Sequence, residues 1–237
     1  MEPLLPNEQR AKAAIMLIWI VMGLQIAAIG SNYLQYNLLK DALGSGSGSV
    51  TPGRIMLNDF RQLAISILFL AGYIFSTVTF IKWFRRAYAN LHLRVNYLNH
   101  SEGWAAGCWF VPILNLYRPI QIMSELYKET DELLLKKKII SKSKYNATYI
   151  TLWWILWILS GLVGNIFVHF SNSGNSIEAL MSNTMGDIIV GLLTIPLGFV
   201  TIKVIKDYAA VEPLLALVPE EQPITPAGNP EPFSSSN

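Results

Sequence analysis

Charge is the scarcest thing in this chain of 237 residues: 14% are Asp, Glu, Lys or Arg, where a water-soluble domain carries about a quarter. With 52% hydrophobic residues, seven tryptophans and a mean hydropathy of +0.36, that deficit excludes an ordinary soluble enzyme and an intrinsically disordered chain. Cysteine is nearly absent. A lone Cys108 allows no intrachain disulfide and no cysteine cluster for a metal, and reads as a small buried apolar residue. A net charge of +2, with no long basic stripe interleaved with aromatics, gives no reason to expect nucleic acid. His92, His100 and His169 show no metal-ligand spacing, and the chain lacks a phosphate-binding loop and a GxSxG turn. No cofactor and no metal are expected, and no nucleophile and base pair can be named.

What the chain has instead is four apolar runs, at about 13–31, 63–81, 148–170 and 188–205, each near the roughly 20 residues that a helix needs to cross about 30 Å of hydrocarbon. A cleaved leader competes for the first, but the run is long for one and only Arg10 and Lys12 precede it, so it is read as a retained span. No Asp, Glu or Lys stands near a span midpoint, which argues against a proton-coupled pump. Asp59 and Asp187 are read as caps at the outer starts of the second and fourth helices. Small and hydroxylic residues in the spans, with Gln25, Ser66, Ser160 and Thr194 among them, are expected to pack helices and bond across them rather than line a pore. Pro196 should kink the fourth helix.

A fifth apolar stretch, WAAGCWFVPILNLY at 104–117, is too short to cross: its 14 residues would cover about 21 Å as a helix, and Pro112 interrupts it. Basic residues accumulate on the cytoplasmic side, and this decides the topology. With four crossings, 15 of the 18 Lys and Arg fall on one side; with five, the split weakens to 12 against 6. The expected fold is therefore all-α, an integral membrane four-helix bundle with both termini cytoplasmic. Cytoplasmic amphipathic helices and a proline-broken segment at 104–117, re-entrant or interfacial, complete it. An outer loop at 32–62 carries the flexible run GSGSGS at 44–49, and a tail from 211 to 237, rich in proline and without Lys or Arg, is expected to be disordered.

The region between the second and third spans carries most of the information. At 83–98 apolar residues recur at helical spacing with Arg85, Arg86 and Arg94 between them, so the second span should run on as an amphipathic helix whose Trp and Arg suit the headgroup level. Beyond Pro119, Ile120, Met123, Leu126, Tyr127, Thr130 and Leu134 share one face, with Glu125, Glu129, Asp131 and Glu132 on or near the other. Arg118 is placed to pair with Glu125, two helical turns on, and Asn115 to bond backbone freed by a proline. A basic run at 136–144 then precedes the third span and suits an anionic leaflet.

WFRRAYANL at 83–91, GW at 103–104, WFVPILNLYRP at 109–119 and EL at 125–126 together resemble the bacterial membrane family known as domain of unknown function 4328. The resemblance implies a bacterial multi-pass membrane protein and supplies no activity, cofactor or catalytic residue. Its motif falls on Trp83, Arg85, Arg86, Asn90, Gly103, Trp104, Trp109, Pro112, Asn115, Arg118, Pro119 and Glu125. These residues, Gly103 apart, form the candidate site, a cytoplasmic-face cluster that braces the fold and binds anionic lipid headgroups or a partner protein. A small transporter built on the re-entrant segment is the alternative. An enzyme acting on lipid headgroups, with Glu125 or a histidine as base, is the weakest reading, and a second copy of the chain is left open as a partner.

Overall fold

A computed structural model of the chain describes residues 2–44, 50–171 and 176–218, with the backbone alone for 168–171. All regular structure among them is helical: α1 (Glu8–Gly44), α2 (Pro52–His92), the single turn α3 (Trp104–Gly107), α4 (Arg118–Lys136), α5 (Ala147–Ser171) and α6 (Ile177–Val211). Short 3₁₀ segments occupy Cys108–Phe110, Leu114–Leu116 and Glu212–Leu217. Four helices, α1, α2, α5 and α6, are long and apolar enough to cross a bilayer.

Three of them far exceed their apolar runs. α1 has 37 residues, α2 41 and α6 35, which at about 1.5 Å per residue is roughly 55, 60 and 52 Å. The expected outer loop at 32–62 is instead mostly helix, and 45–49, most of the GSGSGS run, lies outside the described residues. Helix persists through this polar stretch because its side chains bond between helices. Ser31 Oγ donates to Gln62 Oε1 at 2.8 Å, the Arg61 guanidinium reaches Ser31 O at 3.1 Å while bonding Asn58 Oδ1 of its own helix at 2.6 Å, and Gln35 Nε2 reaches Thr184 Oγ1 at 3.3 Å. Asp59 and Asp187 consequently lie inside α2 and α6 and cap neither. The cap of α6 is Ser176, whose hydroxyl accepts from Ala179 N at 3.2 Å.

α1 packs against both α2 and α6, and α6 packs against α5, while α2 and α5 have no comparable contact. The spans thus form a row, α2, α1, α6, α5, whose two outer members face each other across a cleft. Glycines set the close approaches: a Cβ on Gly191 would lie 2.5 Å from Gln25 Nε2 and 2.9 Å from Ile29 Cγ1, and one on Gly198 would lie 2.6 Å from Met22 Sδ. Outward, Ile67, Leu68, Phe75, Ile155 and Leu192 are exposed, an apolar belt that hydrocarbon would cover.

The tight core sits elsewhere, at the end where α1 and α5 begin and α2 and α6 finish, called here the basic end. There Trp83, Phe84, Tyr88 and Leu91 of α2 are fully buried with Ile122, Met123 and Leu126 of α4 and Ile205 and Tyr208 of α6. Such side chains contribute roughly 1.5–3 kcal/mol each when removed from water. The extension of α2 stops at His92 rather than 98, and is buried on nearly every side from Trp83 to Leu91. On α4, Asp131 belongs to the buried face, contrary to its expected position, because its Oδ1 accepts from Lys144 N at 2.7 Å and anchors the chain leading into α5.

The C-terminal boundary also moves. Glu212–Leu217 is ordered, with Glu212 and Leu215 buried, while 219–237, the rest of the expected tail, lies outside the described residues. Glu212 is held by a knot of amides: Asn7 Nδ2 donates to both its carboxylate oxygens at 3.0 Å and Asn90 Nδ2 to Oε1 at 2.7 Å. Asn90 also exchanges hydrogen bonds with the Leu5 backbone at 2.8 and 2.9 Å, so one knot ties the start of the chain to α2 and to the end of α6. Glu212→Ala would remove an acceptor from two buried amides, which keep Trp83 O and Leu5 O, at about 1.5–3 kcal/mol for each hydrogen bond to a charged group. The expected outcome is a lower apparent melting temperature in detergent, with a smaller loss for Glu212→Gln, which keeps an acceptor.

Candidate functional site

The segment after α2 cannot form one helix, because Pro112 lacks an amide hydrogen and disfavours helix in the residue before it. It folds as a turn of α-helix and two 3₁₀ turns, and Asn115 N recovers a partner in Val111 O at 2.8 Å. This geometry delivers Trp109 as a wedge between α2 and α5. Its ring centroid lies 5.8 Å from Phe80, 6.3 Å from Trp153 and 6.0 Å from Trp157, edge to face in each case. The two helices, otherwise apart, are joined here through aromatic rings, with Phe80 and Trp153 themselves 5.9 Å apart.

The wedge closes one end of the cleft. A cavity of about 330 Å³ lies beside it, walled by Tyr73, Phe80, Trp109, Asn115, Trp153 and Trp157 among others. A second, of about 520 Å³, continues toward the far end past Gln25, Ser66, Ser160, Thr194, Asn32, Gln62 and Asp187. Four residues expected to pack helices therefore line a cleft. Ser160 and Thr194 do not bond across helices; they bond back to Leu156 O at 2.8 Å and Gly191 O at 2.9 Å within their own.

Arg118 and Glu125 do not pair, since two turns separate them by about 10 Å along α4. Glu125 accepts from Tyr88 Oη at 2.6 Å and from both Asn99 N and Asn99 Nδ2 at 2.7 Å, pinning the loop that follows α2 onto α4. Arg118 reaches back over that loop. Its Nη1 donates to His100 Nδ1 at 3.0 Å, and its guanidinium carbon stands 5.4 Å from the Trp104 ring centroid. Pro119 is buried in the first turn of α4, and Pro112 is exposed at the break. Burial, then the Arg118 charge, hold the His100 imidazole below its ordinary pKa, against an opposing pull from Glu125, so Nδ1 stays free to accept.

The expected cluster thus separates into parts. Trp83 and Asn90 belong to the buried core and its knot; Arg118, Glu125 and Trp104 brace the loop; Trp109 and Asn115 close the cleft; Arg85 and Arg86 stand at the surface. Arg85 pairs with Glu102 at 3.1 Å, both being about half exposed. Arg10 lies near enough to Arg85 and Arg86 for their charges to interact, and its Nη1 donates to Lys82 O at 3.3 Å. Sequence reasoning passes over Asn7, Arg10, Tyr88, Asn99 and Glu212. The apolar run LLALV after Pro213 is the signal that the chain near Glu212 has a core to join. Among the described residues, no group of three or more His, Cys, Asp or Glu is placed to hold a metal.

The profile of a protein family described as Domain of unknown function (DUF4328) matches residues 47–210. The chain belongs to that family. No curated protein and no solved structure matches it. The family region contains every residue of the expected cluster, together with Trp157 and Asp187 of the cleft. It leaves out Asn7, Arg10, Gln25 and Glu212, so α1, which lies between α2 and α6, contributes its share of the cleft from outside that region, as Asn7 and Glu212 do theirs of the knot.

Two expectations follow from this geometry. The unfolded chain takes up a proton at His100 near pH 6.5 that the folded chain resists, so the stability of this contact is complete above about pH 6.5 and is lost as pH falls through the lower folded value. Melting temperature between about pH 7 and 5 should therefore fall less steeply in His100→Gln than in the parent. Cys108 is fully buried, and burial pushes its thiol up to about 11. At pH 8 only about one thiol in a thousand would be ionised. Iodoacetamide should leave the folded protein unlabelled and modify Cys108 once it is unfolded.

Proposed function

We propose that the protein is a non-enzymatic, multi-pass protein of a bacterial inner or plasma membrane, with its basic end in the cytoplasm, and that Arg10, Lys82, Arg85 and Arg86 seat that end on anionic lipid headgroups. The observation that carries this reading is the convergence of three guanidiniums from α1 and α2 beside the last exposed turns of the apolar belt. Mutually repelling cations at a membrane edge gain from phosphate, at about 1 kcal/mol per charge near an anionic surface. Of the four, Arg85 also has a half-exposed acidic partner in Glu102 at 3.1 Å, as Lys203 has in Asp207 at 2.6 Å, so the excess positive charge of this patch lies on Arg10, Lys82 and Arg86. The orientation rests on the 15 to 3 distribution of basic residues that four crossings produce. His92 and Glu125, the candidates for a catalytic base, are both engaged in holding the loop at 99–100, which favours a non-enzymatic role.

The transporter alternative draws support from the cleft that the segment at 104–117 closes; in this conformation Trp109 and its aromatic neighbours block passage toward the basic end. Seating on lipid is tested by native mass spectrometry of protein released from membranes containing phosphatidylglycerol and phosphatidylethanolamine. Retained phosphatidylglycerol should fall severalfold in the Arg10→Ala, Arg85→Ala, Arg86→Ala triple variant, with the melting temperature held. An unchanged lipid complement would sink the proposal.

A further inference from the structure

The two cavities share Gln25, Phe69, Tyr73, Trp157, Thr194 and Leu197, so they form a single cleft between α2 and α5. Each falls in the range of about 300–1,000 Å³ usual for small-molecule sites. Because α2 and α5 do not pack on each other, the cleft is accessible sideways, from where lipid would lie. Its inner half is aromatic and its outer half is amide and hydroxyl. The wall carries one carboxylate, Asp187, and no lysine, arginine or histidine among the described residues that line it.

Asp187 is not a helix cap, and it has no hydrogen-bond or ion-pair partner among the described residues. Arg61, beside Gln62 at the rim, is turned onto Ser31 and Asn58. Along α6, Asp187 lies sixteen residues, about 24 Å, from Lys203, which puts it at the far boundary of the apolar belt. There its side chain is exposed at the mouth of the cleft, the one carboxylate among the described lining residues and without a basic partner among them. At the opposite, closed end, Asn115 Oδ1 and Trp109 Nε1 are buried with no hydrogen-bond partner. The cleft therefore has an uncompensated anion at its mouth, aromatic walls along its inner half and unanswered polar atoms at its floor.

We infer that this cleft binds an amphiphilic organic cation, its ammonium or other onium group paired with Asp187 and its apolar body lying against Tyr73, Phe69 and Trp157. An anionic ligand would meet Asp187 with no countercharge, and a neutral one would leave it unpaired. Aromatic faces along the wall add cation–π attraction. The cation is either a free solute or the amine headgroup of a membrane lipid, and both share this chemistry. The site lies at the other end of the protein from Arg85 and Arg86, so its failure and that of headgroup seating are separately observable.

The test uses the full chain in phosphatidylglycerol nanodiscs, with equilibrium binding of tetraphenylphosphonium and of its isosteric anion tetraphenylborate, each measured above empty discs. The phosphonium should bind saturably and the borate should not. Asp187→Asn should weaken phosphonium binding severalfold, because it removes the one countercharge among the described residues that line the cleft. Gly161→Phe provides a second variant: a Cβ there meets nothing within 4 Å, so the new ring enters open space on the cleft wall and should block binding with the fold intact. Competition in discs rich in phosphatidylethanolamine would identify a lipid amine as the occupant, and its absence a free cation. Equal binding of both probes, or phosphonium binding unaltered in both variants, would overturn the assignment.

Discussion

Helices of roughly 52–60 Å cannot be hidden in a hydrocarbon layer of about 30 Å, and what projects from it must find other cover. At the basic end the overhang of α2 and α6 is covered by α4 and by the 3₁₀ turn after α6, which together make a core as closed as that of a soluble domain. Inside it, Trp83 and Tyr208 stand at 6.3 Å, and Glu212 accepts from the amide nitrogens of Asn7 and Asn90, while Asn7 Oδ1 is left without a partner. At the far end the overhang is polar and is cross-linked by Ser31, Arg61 and Gln62. Between these two ends α1 packs closely on α6 at Gly191 and Gly198, and only α2 and α5 remain loosely arranged.

That looseness is where the cleft arises. α5 packs along its length on α6, and it meets α2 through rings at one end, where Phe80 stands tilted at 5.9 Å from Trp153 and Trp109 lies against both. The proline break is thus what lets a chain leaving α2 turn back and present an indole to both helices. It closes one end of the space and leaves the other open toward Asp187.

How much of this was legible depends on the residue. The four spans could be read because hydrocarbon imposes length and composition alone, and segment 104–117 could be set apart because 14 residues with a proline cannot cross. Helix ends were misplaced wherever polar side chains bonded between helices, as at 32–62, since hydropathy registers polarity and is blind to partners. Asp187 was read as a cap for the same reason: a carboxylate beside an apolar run looks like a helix start until the helix is seen to begin at Ile177. Arg118 and Glu125 share a plausible spacing along the chain, yet each found a nearer partner in the loop at 99–104, which no periodicity locates.

By itself, then, the sequence determined the solvent: few charges, four apolar runs and one basic region specify a helical chain suited to a bilayer, because transfer of charge into hydrocarbon is so costly that composition decides it. Tertiary structure decided which polar groups meet. Asn7 and Glu212 are 205 residues apart, and Trp109 reaches Phe80 and Trp157 from opposite directions along the chain. Hydrogen bonds and ring contacts act over a few ångströms and only between groups the fold has already brought together. The braces, the wedge and the open cleft with its lone carboxylate therefore belong to the arrangement of the helices and to no stretch of sequence.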